Sequence, residues 1–120
     1  MESTTDEDRT STWLDVGAAD EVRRRRKLVV AHEGGEILVL AHDGAVHAFE
    51  NTCIHRGRPL AKGVVLNGRI VCPGHQWAFD LATGWEAVKG ECQPTYDVRI
   101  DDGRVFVDTA SCAPRCGPAA

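Results

Sequence analysis

The sequence predicts an all-β protein made of short antiparallel strands. Short apolar runs are separated by Gly-Gly, Asp-Gly and Asn-Gly pairs, which supply the positive φ angles that tight hairpins need. No stretch carries the periodicity of a long amphipathic helix. A length of 120 residues, of which 42% are hydrophobic, suits one domain with a modest core.

The chain begins with a polar segment. Residues 1–12 are rich in Ser, Thr, Asp and Glu and contain no apolar residue after Met1, so we predict a disordered N-terminal tail. The first apolar cluster, at residues 13–16, is predicted to form the first strand. Residues 18–22 are predicted to form one short helical turn.

Three strands connected by tight turns follow. They are predicted at residues 27–32, 36–41 and 45–49, with turns at Gly34-Gly35 and Asp43-Gly44. Because consecutive strands joined by tight turns pair with each other, this part of the chain should form an antiparallel meander.

The Asn67-Gly68 pair marks a hairpin that matters for function. It joins predicted strands at residues 63–66 and 69–71 and returns the chain toward the segment near residue 53. A further turn is predicted at residues 80–84.

The last predicted hairpin joins residues 95–100 to residues 104–107. One face of its first strand is expected to be buried because apolar side chains occupy alternate positions, at Tyr96, Val98 and Ile100. Residues 109–120 contain prolines, glycines and small residues, and we predict a loose C-terminal tail.

Two short segments carry side chains that bind metals. Cys53-Ile54-His55 and Cys72-Pro73-Gly74-His75 each contain one cysteine and one histidine, and sixteen residues separate His55 from Cys72. Two thiolates and two neutral imidazoles can complete a [2Fe–2S] cluster, with the cysteines on one iron and the histidines on the other. The same four side chains could close a tetrahedral zinc site. Zinc fingers usually pair like ligands with like, so the mixed pairs favour the cluster.

These residues and their neighbours resemble the Rieske iron–sulfur family. The two metal-binding segments are accompanied by Gly57, Pro59, Pro73 and Gly74, and the likeness extends from about residue 13 to residue 108. The resemblance implies the Rieske fold, which is an antiparallel β-sandwich with an inserted cluster-binding subdomain.

The resemblance also implies a cofactor and a role. The Rieske domain would span residues 13–108, with the cluster-binding subdomain at about residues 50–85. A [2Fe–2S] cluster would be bound by Cys53, His55, Cys72 and His75. In this family the histidine edges lie at the surface and serve as the exit for the electron. Such a protein transfers one electron and performs no substrate chemistry of its own.

Two branches of the family are the strongest candidates. The first is the small subunit of NAD(P)H-dependent nitrite reductase, whose partner carries flavin, a [4Fe–4S] cluster and sirohaem. The second is the ferredoxin that delivers electrons to a ring-hydroxylating dioxygenase. Gln76 and Cys92 favour the first branch, because dioxygenase ferredoxins usually have Gly after the second histidine and no cysteine at the later position. We therefore expect a nitrite reductase small subunit, with the dioxygenase ferredoxin as the alternative and a zinc-stapled binding module as a remote third.

The remaining family branches fit less well. The sequence shows neither the membrane anchor and disulfide of quinol-oxidising subunits nor the large catalytic domain of oxygenase α subunits. The partner is therefore expected to be a separate redox protein.

Charge and hydropathy limit the partners further. A net charge of −4 and a pI of about 5.7 do not favour nucleic acid or anionic lipid. No apolar run approaches membrane-spanning length. The arginines at residues 23–26 are not followed by the long apolar stretch of an export signal, so we expect a cytoplasmic protein. The basic run Arg23-Arg24-Arg25-Arg26-Lys27 is interpreted as a solvated strand edge, with docking of an acidic partner as the less favoured alternative.

Several cysteines and histidines remain outside the predicted ligand set. Cys92, Cys112 and Cys116 are expected to be free thiols, because a reducing compartment disfavours disulfides. Cys92 in particular is expected to be a small buried side chain. The other histidines, His32, His42 and His47, are expected to be strand or surface residues and not ligands.

We predict a reduction potential near the low end of the Rieske range, at about −150 mV. High-potential members place a Ser and a Tyr hydroxyl near the cluster, and the resemblance puts Trp77 and Phe79 at those positions. The disulfide that braces their loops would fall at Arg58 and Gly74. Hydrogen bonds to the sulfurs raise the potential, so their loss lowers it. Protein-film voltammetry measures the midpoint, and a value above zero would contradict the prediction.

Overall fold

The computed structural model describes residues 12–53, 59–73 and 77–113. Within these ranges the chain is mainly strand with one short α-helix, so the predicted all-β class is confirmed. The helices are α1 (Ala19–Arg25) and two 3-10 helices, Leu60–Lys62 and Thr109–Ser111. The strands are β1 (Trp13–Ala18), β2 (Lys27–His32), β3 (Gly35–His42), β4 (Ala45–Glu50), β5 (Val64–Leu66), β6 (Arg69–Val71), β7 (Ala78–Asp80), β8 (Trp85–Glu86), β9 (Glu91–Cys92), β10 (Thr95–Tyr96), β11 (Val98–Asp101) and β12 (Arg104–Asp108).

A four-stranded antiparallel sheet in the order β10-β4-β3-β2 contains the predicted meander. The turn between β3 and β4 has positive φ at both Asp43 and Gly44, as the two-residue turns of tight hairpins require. The sequence therefore predicted the pairing of these three strands correctly.

A second sheet, in the order β1-β12-β11, packs against the first. The core between them contains Ile37 and Val39 from β3 and Val105 and Val107 from β12, together with Val22 from α1. Alternate side chains of a strand point to opposite faces, so Leu38 and Leu40 of β3 point away from this core. They belong instead to a second buried cluster, described below.

A smaller subdomain is inserted between β4 and β10, which pair with each other. It consists of the three-stranded sheet β5-β6-β7 and the hairpin β8-β9. The insertion thus runs over residues 51–94, which is longer at its C-terminal end than the predicted 50–85. Sequence analysis missed β7, β8 and β9, which are two or three residues long and, unlike the equally short β5 and β6, are not joined by an Asn-Gly pair.

The strand predicted at residues 95–100 is divided in the structure. Thr95–Tyr96 pairs with β4 in one sheet, whereas Val98–Asp101 pairs with β12 in the other. The predicted buried face is wrong at Ile100, which is 43% exposed. An alternating pattern does not show that a chain changes sheets in the middle.

The four arginines of the basic run lie in the last part of α1 and at its C-cap, and only Lys27 lies on an edge strand, β2, which corrects the sequence interpretation. The helix extends through Arg25, and Glu21 pairs with both Arg24 and Arg25. Basic side chains in the last turn interact favourably with the helix dipole. The single helical turn predicted at residues 18–22 is therefore the start of a longer helix.

The described part of the C-terminal segment is folded against β10. Thr109–Ser111 forms a 3-10 helix, and Ala113 and Thr95 exchange two backbone hydrogen bonds of 3.1 Å. This differs from the loose tail predicted from residue 109 onward. Across residues 12–53, 59–73 and 77–113, no helix is long and apolar enough to span a bilayer.

We predict that Gly63→Ala destabilises the fold by at least about 2 kcal/mol, which corresponds to roughly 10 °C in melting temperature. A Cβ at position 63 would lie 2.1 Å from the carbonyl oxygen of Val71, so the β5-β6 hairpin would have to shift. Thermal unfolding followed by circular dichroism measures the effect. Gly35→Ala is the control, because its Cβ would meet no atom closer than 3.8 Å. Equal shifts in the two variants would contradict the prediction.

Candidate functional site

The structure places both predicted cysteine ligands in one buried cluster. Cys53 follows β4 and Cys72 follows β6, and each is 1% exposed. Neither is disulfide-bonded. Their cluster is otherwise apolar, with the buried members Leu38, Leu40, Phe49, Leu60, Ile70, Phe79 and Leu81.

The two predicted histidine ligands lie outside the described residues. His55 belongs to residues 54–58 and His75 to residues 74–76. The ends of both segments are nevertheless held together. Thr52 and Pro59 form an antiparallel bridge across the first segment, and the Cys72 N–H donates to the Trp77 carbonyl at 2.7 Å across the second. We call residues 53–59 the first ligand loop and residues 72–77 the second ligand loop.

Asn51 fixes the first ligand loop from the side of the meander. Its Nδ2 donates to Glu36 Oε1 at 2.9 Å, while its Oδ1 accepts from the Ala61 N–H at 2.9 Å. Its carbonyl also accepts from the Leu60 N–H at 2.7 Å. Asn51 itself is buried, at 2% exposed, whereas its partner Glu36 lies at the surface. Asn51 therefore joins the segment before the loop to the segment after it.

Gln93, which lies near the C-terminal end of the inserted subdomain, also binds the segment that leads into the first ligand loop. It is fully buried, and its Nε2 donates to the carbonyls of Glu50 and Thr52, both at 2.8 Å. Thr52 immediately precedes Cys53, so the amide sets the course of the backbone that presents the thiol.

Glu86 supports the second ligand loop. Its Oε2 accepts from the Ala78 N–H at 2.6 Å, and its Oε1 accepts from the N–H groups of Val88 at 2.7 Å and Lys89 at 3.1 Å. Burial raises the pKa of Glu86, but these hydrogen bonds and the nearby Lys89 ammonium outweigh burial and leave the pKa below its ordinary value. The carboxylate is therefore charged at neutral pH.

Lys27 ties the inserted subdomain to the sandwich. Its Nζ donates to the carbonyls of Ala61 at 2.7 Å and Gly63 at 2.8 Å, where the chain leaves the first ligand loop. Lys27, the last residue of the basic run, thus has a structural role that the charge pattern of the sequence does not reveal.

Trp77 ends the second ligand loop, and Phe79 follows it in β7. Phe79 is fully buried in the cysteine-containing cluster, and Trp77 packs against that cluster. Their ring centroids lie 6.2 Å apart. The Lys89 ammonium lies 5.7 Å from the Trp77 ring centroid, which is within the range of a cation–π contact.

The cysteines outside the ligand set differ from the sequence prediction in part. Cys92 is half-buried and disulfide-bonded, so it is not the free thiol that was expected. Cys112 is not disulfide-bonded and is exposed, as expected. Cys116 lies outside the described residues. The prediction rested on compartment chemistry, which does not report which thiols the fold brings together.

The remaining histidines lie on or beside strands. His32 is in β2, His42 ends β3 and His47 is in β4. Burial and the neighbouring His42 lower the pKa of His47, with Asp80 acting in the opposite direction. This side chain is therefore neutral at physiological pH.

The described donors fit half of an iron–sulfur site. Within residues 12–53, 59–73 and 77–113 no three His, Cys, Asp or Glu side chains form a group that could hold a metal ion. Two buried thiols from different loops are the donor set that one iron of such a cluster takes, and each loop contains one histidine in the sequence. Sequence analysis missed Asn51, Gln93 and Glu86, because a buried polar residue looks like a surface residue in a sequence.

Comparisons with known proteins agree with this arrangement. Residues 12–109 match the family model described as the Rieske [2Fe-2S] domain. The ferredoxin component of the naphthalene 1,2-dioxygenase system of Pseudomonas aeruginosa is 32% identical over 105 residues, covering 82% of this chain and 97% of that protein. A human Rieske domain-containing protein is 27% identical over 121 residues, covering 84% of this chain and 77% of the relative.

A solved structure extends the likeness to three dimensions. The ferredoxin of carbazole 1,9a-dioxygenase from Nocardioides aromaticivorans IC177 superposes with a TM-score of 0.71 at 28% identity, covering 81% of this chain and 97% of that protein. A chain in the complex of reduced oxygenase and oxidized ferredoxin in carbazole 1,9a-dioxygenase gives a TM-score of 0.75 at 26% identity, covering 83% of this chain and 95% of that chain.

We predict that Gln93→Met destabilises the fold by about 1–3 kcal/mol, because the Glu50 and Thr52 carbonyls lose a buried donor. The side chain keeps its approximate length, so the cost comes from the missing hydrogen bonds. The melting temperature and the rate at which the protein loses iron during dilution measure the effect. Glu91→Met, at an exposed position on the same segment, should change neither; iron loss at the wild-type rate in Gln93→Met would contradict the prediction.

Proposed function

The chain belongs to the Rieske [2Fe–2S] family, and from this premise we propose that it is a ferredoxin that carries single electrons to a ring-hydroxylating dioxygenase. The cofactor is a [2Fe–2S] cluster. Its ligands in this proposal are Cys53, His55, Cys72 and His75. The observation that supports the ligand set most directly is the burial of both cysteines in one apolar cluster at the ends of two strands.

The relatives favour the dioxygenase ferredoxin over the nitrite reductase small subunit that the sequence suggested. Relatives that this chain matches over 96–97% of their own length are named as ferredoxin components of naphthalene and dinitrotoluene dioxygenase systems. Gln76 and Cys92 were the positions that favoured nitrite reductase. Two positions weigh less than a likeness that covers 97% of a relative.

The residues of this chain prepare the site in two ways. The apolar side chains around Cys53 and Cys72 exclude water from the sulfur ligands, while Asn51, Gln93 and Glu86 fix the backbone on either side of the loops. When bound, the cluster accepts and releases one electron. Because the described ends of both loops are already held in place, we expect little reorganisation to accompany each transfer.

The partner in this proposal is the oxygenase component of a dioxygenase system, with a reductase as the source of electrons. A similar solved structure is a complex of oxygenase and ferredoxin in carbazole 1,9a-dioxygenase. A cytoplasmic location is part of this proposal.

The cofactor is tested by analysing the purified protein for iron and acid-labile sulfide. We expect about two of each per chain and a rhombic paramagnetic signal after reduction. Cys53→Ala and Cys72→Ala should lose both, whereas Cys112→Ala, at an exposed cysteine, should keep them. If the wild-type protein contains zinc and no acid-labile sulfide, the proposal is wrong and the zinc-stapled module is favoured.

The partner is tested by mixing the reduced protein anaerobically with the oxygenase encoded nearest to it in the genome. Oxidation of the visible chromophore within the turnover time of the oxygenase supports the ferredoxin role. Transfer to a sirohaem nitrite reductase in place of an oxygenase would overturn it.

A further inference from the structure

The Glu86 carboxylate is a buried charge near the second ligand loop. The electron-transfer role proposed above does not by itself explain why a charge is buried there. Glu86 is 3% exposed, and the hydrogen bonds that it accepts come from the backbone N–H groups of Ala78, Val88 and Lys89. In the part of the chain that the structure describes, no Lys or Arg forms a salt bridge with it.

Capping a turn does not by itself require this burial. Asp80 caps the neighbouring turn through its Oδ1, which accepts from the N–H groups of Ala82 at 2.8 Å and Thr83 at 3.1 Å, and that aspartate is only half-buried. Burying a carboxylate without a paired cation is costly, and a neutral side chain can often replace a buried charge without loss of stability. A buried, charged carboxylate beside a functional site therefore points to a role for its charge.

Two backbone hydrogen bonds connect Glu86 to the second ligand loop. Glu86 holds the N–H of Ala78, and the adjacent Trp77 carbonyl accepts from the N–H of Cys72 at 2.7 Å. The carboxylate thus lies one residue beyond the hydrogen bond that closes the loop carrying a sulfur ligand.

The surroundings allow a charge at this position to act on the cluster site. Trp77 packs against the apolar cluster that contains Cys53 and Cys72. Apolar surroundings screen a charge far less than water does. Lys89 is three residues from Glu86 in the sequence, and its ammonium lies over the Trp77 ring. Its side chain is exposed, so water screens its charge more than it screens the buried carboxylate.

We propose that Glu86 is a positioning residue that also lowers the reduction potential of the [2Fe–2S] cluster. It fixes the strand that leaves the second ligand loop, and its negative charge opposes the addition of an electron. Reduction by the redox partner adds one negative charge to the cluster and leaves Glu86 unchanged, so a fixed anion nearby favours the oxidised form. This inference rests on the proposed electron-transfer function.

The test compares midpoint potentials of cluster-loaded variants by protein-film voltammetry. Glu86→Gln removes the charge and should shift the midpoint upward. Glu86→Asp keeps the charge and should stay closer to the wild type. Glu91→Gln is the matched control, because Glu91 lies opposite Glu86 in the β8-β9 register but is exposed, and its midpoint should not change. Coincident midpoints for Glu86→Gln and the wild type, or equal shifts for Gln and Asp, would overturn the role of the charge.

A second variant decides the question if Glu86→Gln does not hold the cluster. Lys89→Met removes the cation but keeps the backbone N–H that Glu86 binds, so the fold should be retained and the midpoint should shift downward. No shift, or an upward shift, would overturn the inference. A wild-type protein without iron and sulfide would instead mean that the proposed function has failed, whereas a wild-type cluster with unshifted variants would reject only this inference.

Discussion

The structure depends on β3, a strand that is buried on both faces. Ile37 and Val39 enter the core between the two sheets of the sandwich, whereas Leu38 and Leu40 enter the cluster that contains the two cysteines. Because alternate side chains of a strand point in opposite directions, one short segment serves both cores. The inserted subdomain is therefore held to the sandwich by shared packing and not only by its two chain connections.

Polar side chains complete what apolar packing begins. Hydrophobic contacts are not directional, so they bury the cysteines without specifying the path of the loops that carry them. Hydrogen bonds from buried side chains specify that path, and each costs stability if one partner is removed. The residues that supply them are Lys27, Asn51, Glu86 and Gln93. They come from four separate parts of the chain and converge on the ends of the two ligand loops.

Apolar burial of the cysteines, combined with hydrogen bonds that hold the ends of the loops, suits an electron carrier. A rigid, water-excluding setting around the sulfur ligands limits the rearrangement that accompanies gain or loss of an electron. Trp77 and Phe79 contribute bulk and no hydroxyl donor, while Glu86 contributes a buried negative charge. Both features would favour the low potential that we predict, and both come from residues at or beyond the end of the second ligand loop.

The sequence by itself determined the fold class, the meander, the Asn67-Gly68 hairpin and the family. Each of these is a local signal, because turn residues and metal-binding pairs lie close together along the chain. The same local signals favoured the nitrite reductase branch, whereas the relatives favour the dioxygenase ferredoxin, because the sequence argument depended on a few positions.

Only the tertiary structure decided which polar residues are buried and where the chain changes sheets. Nothing near Asn51, Glu86 or Gln93 in the sequence distinguishes them from surface residues, because their partners are distant along the chain or are backbone groups. The corner at Asp97 likewise depends on two partner strands that compete for one alternating segment. Burial and long-range pairing are properties of the assembled fold, so a sequence pattern with a period of a few residues does not contain them.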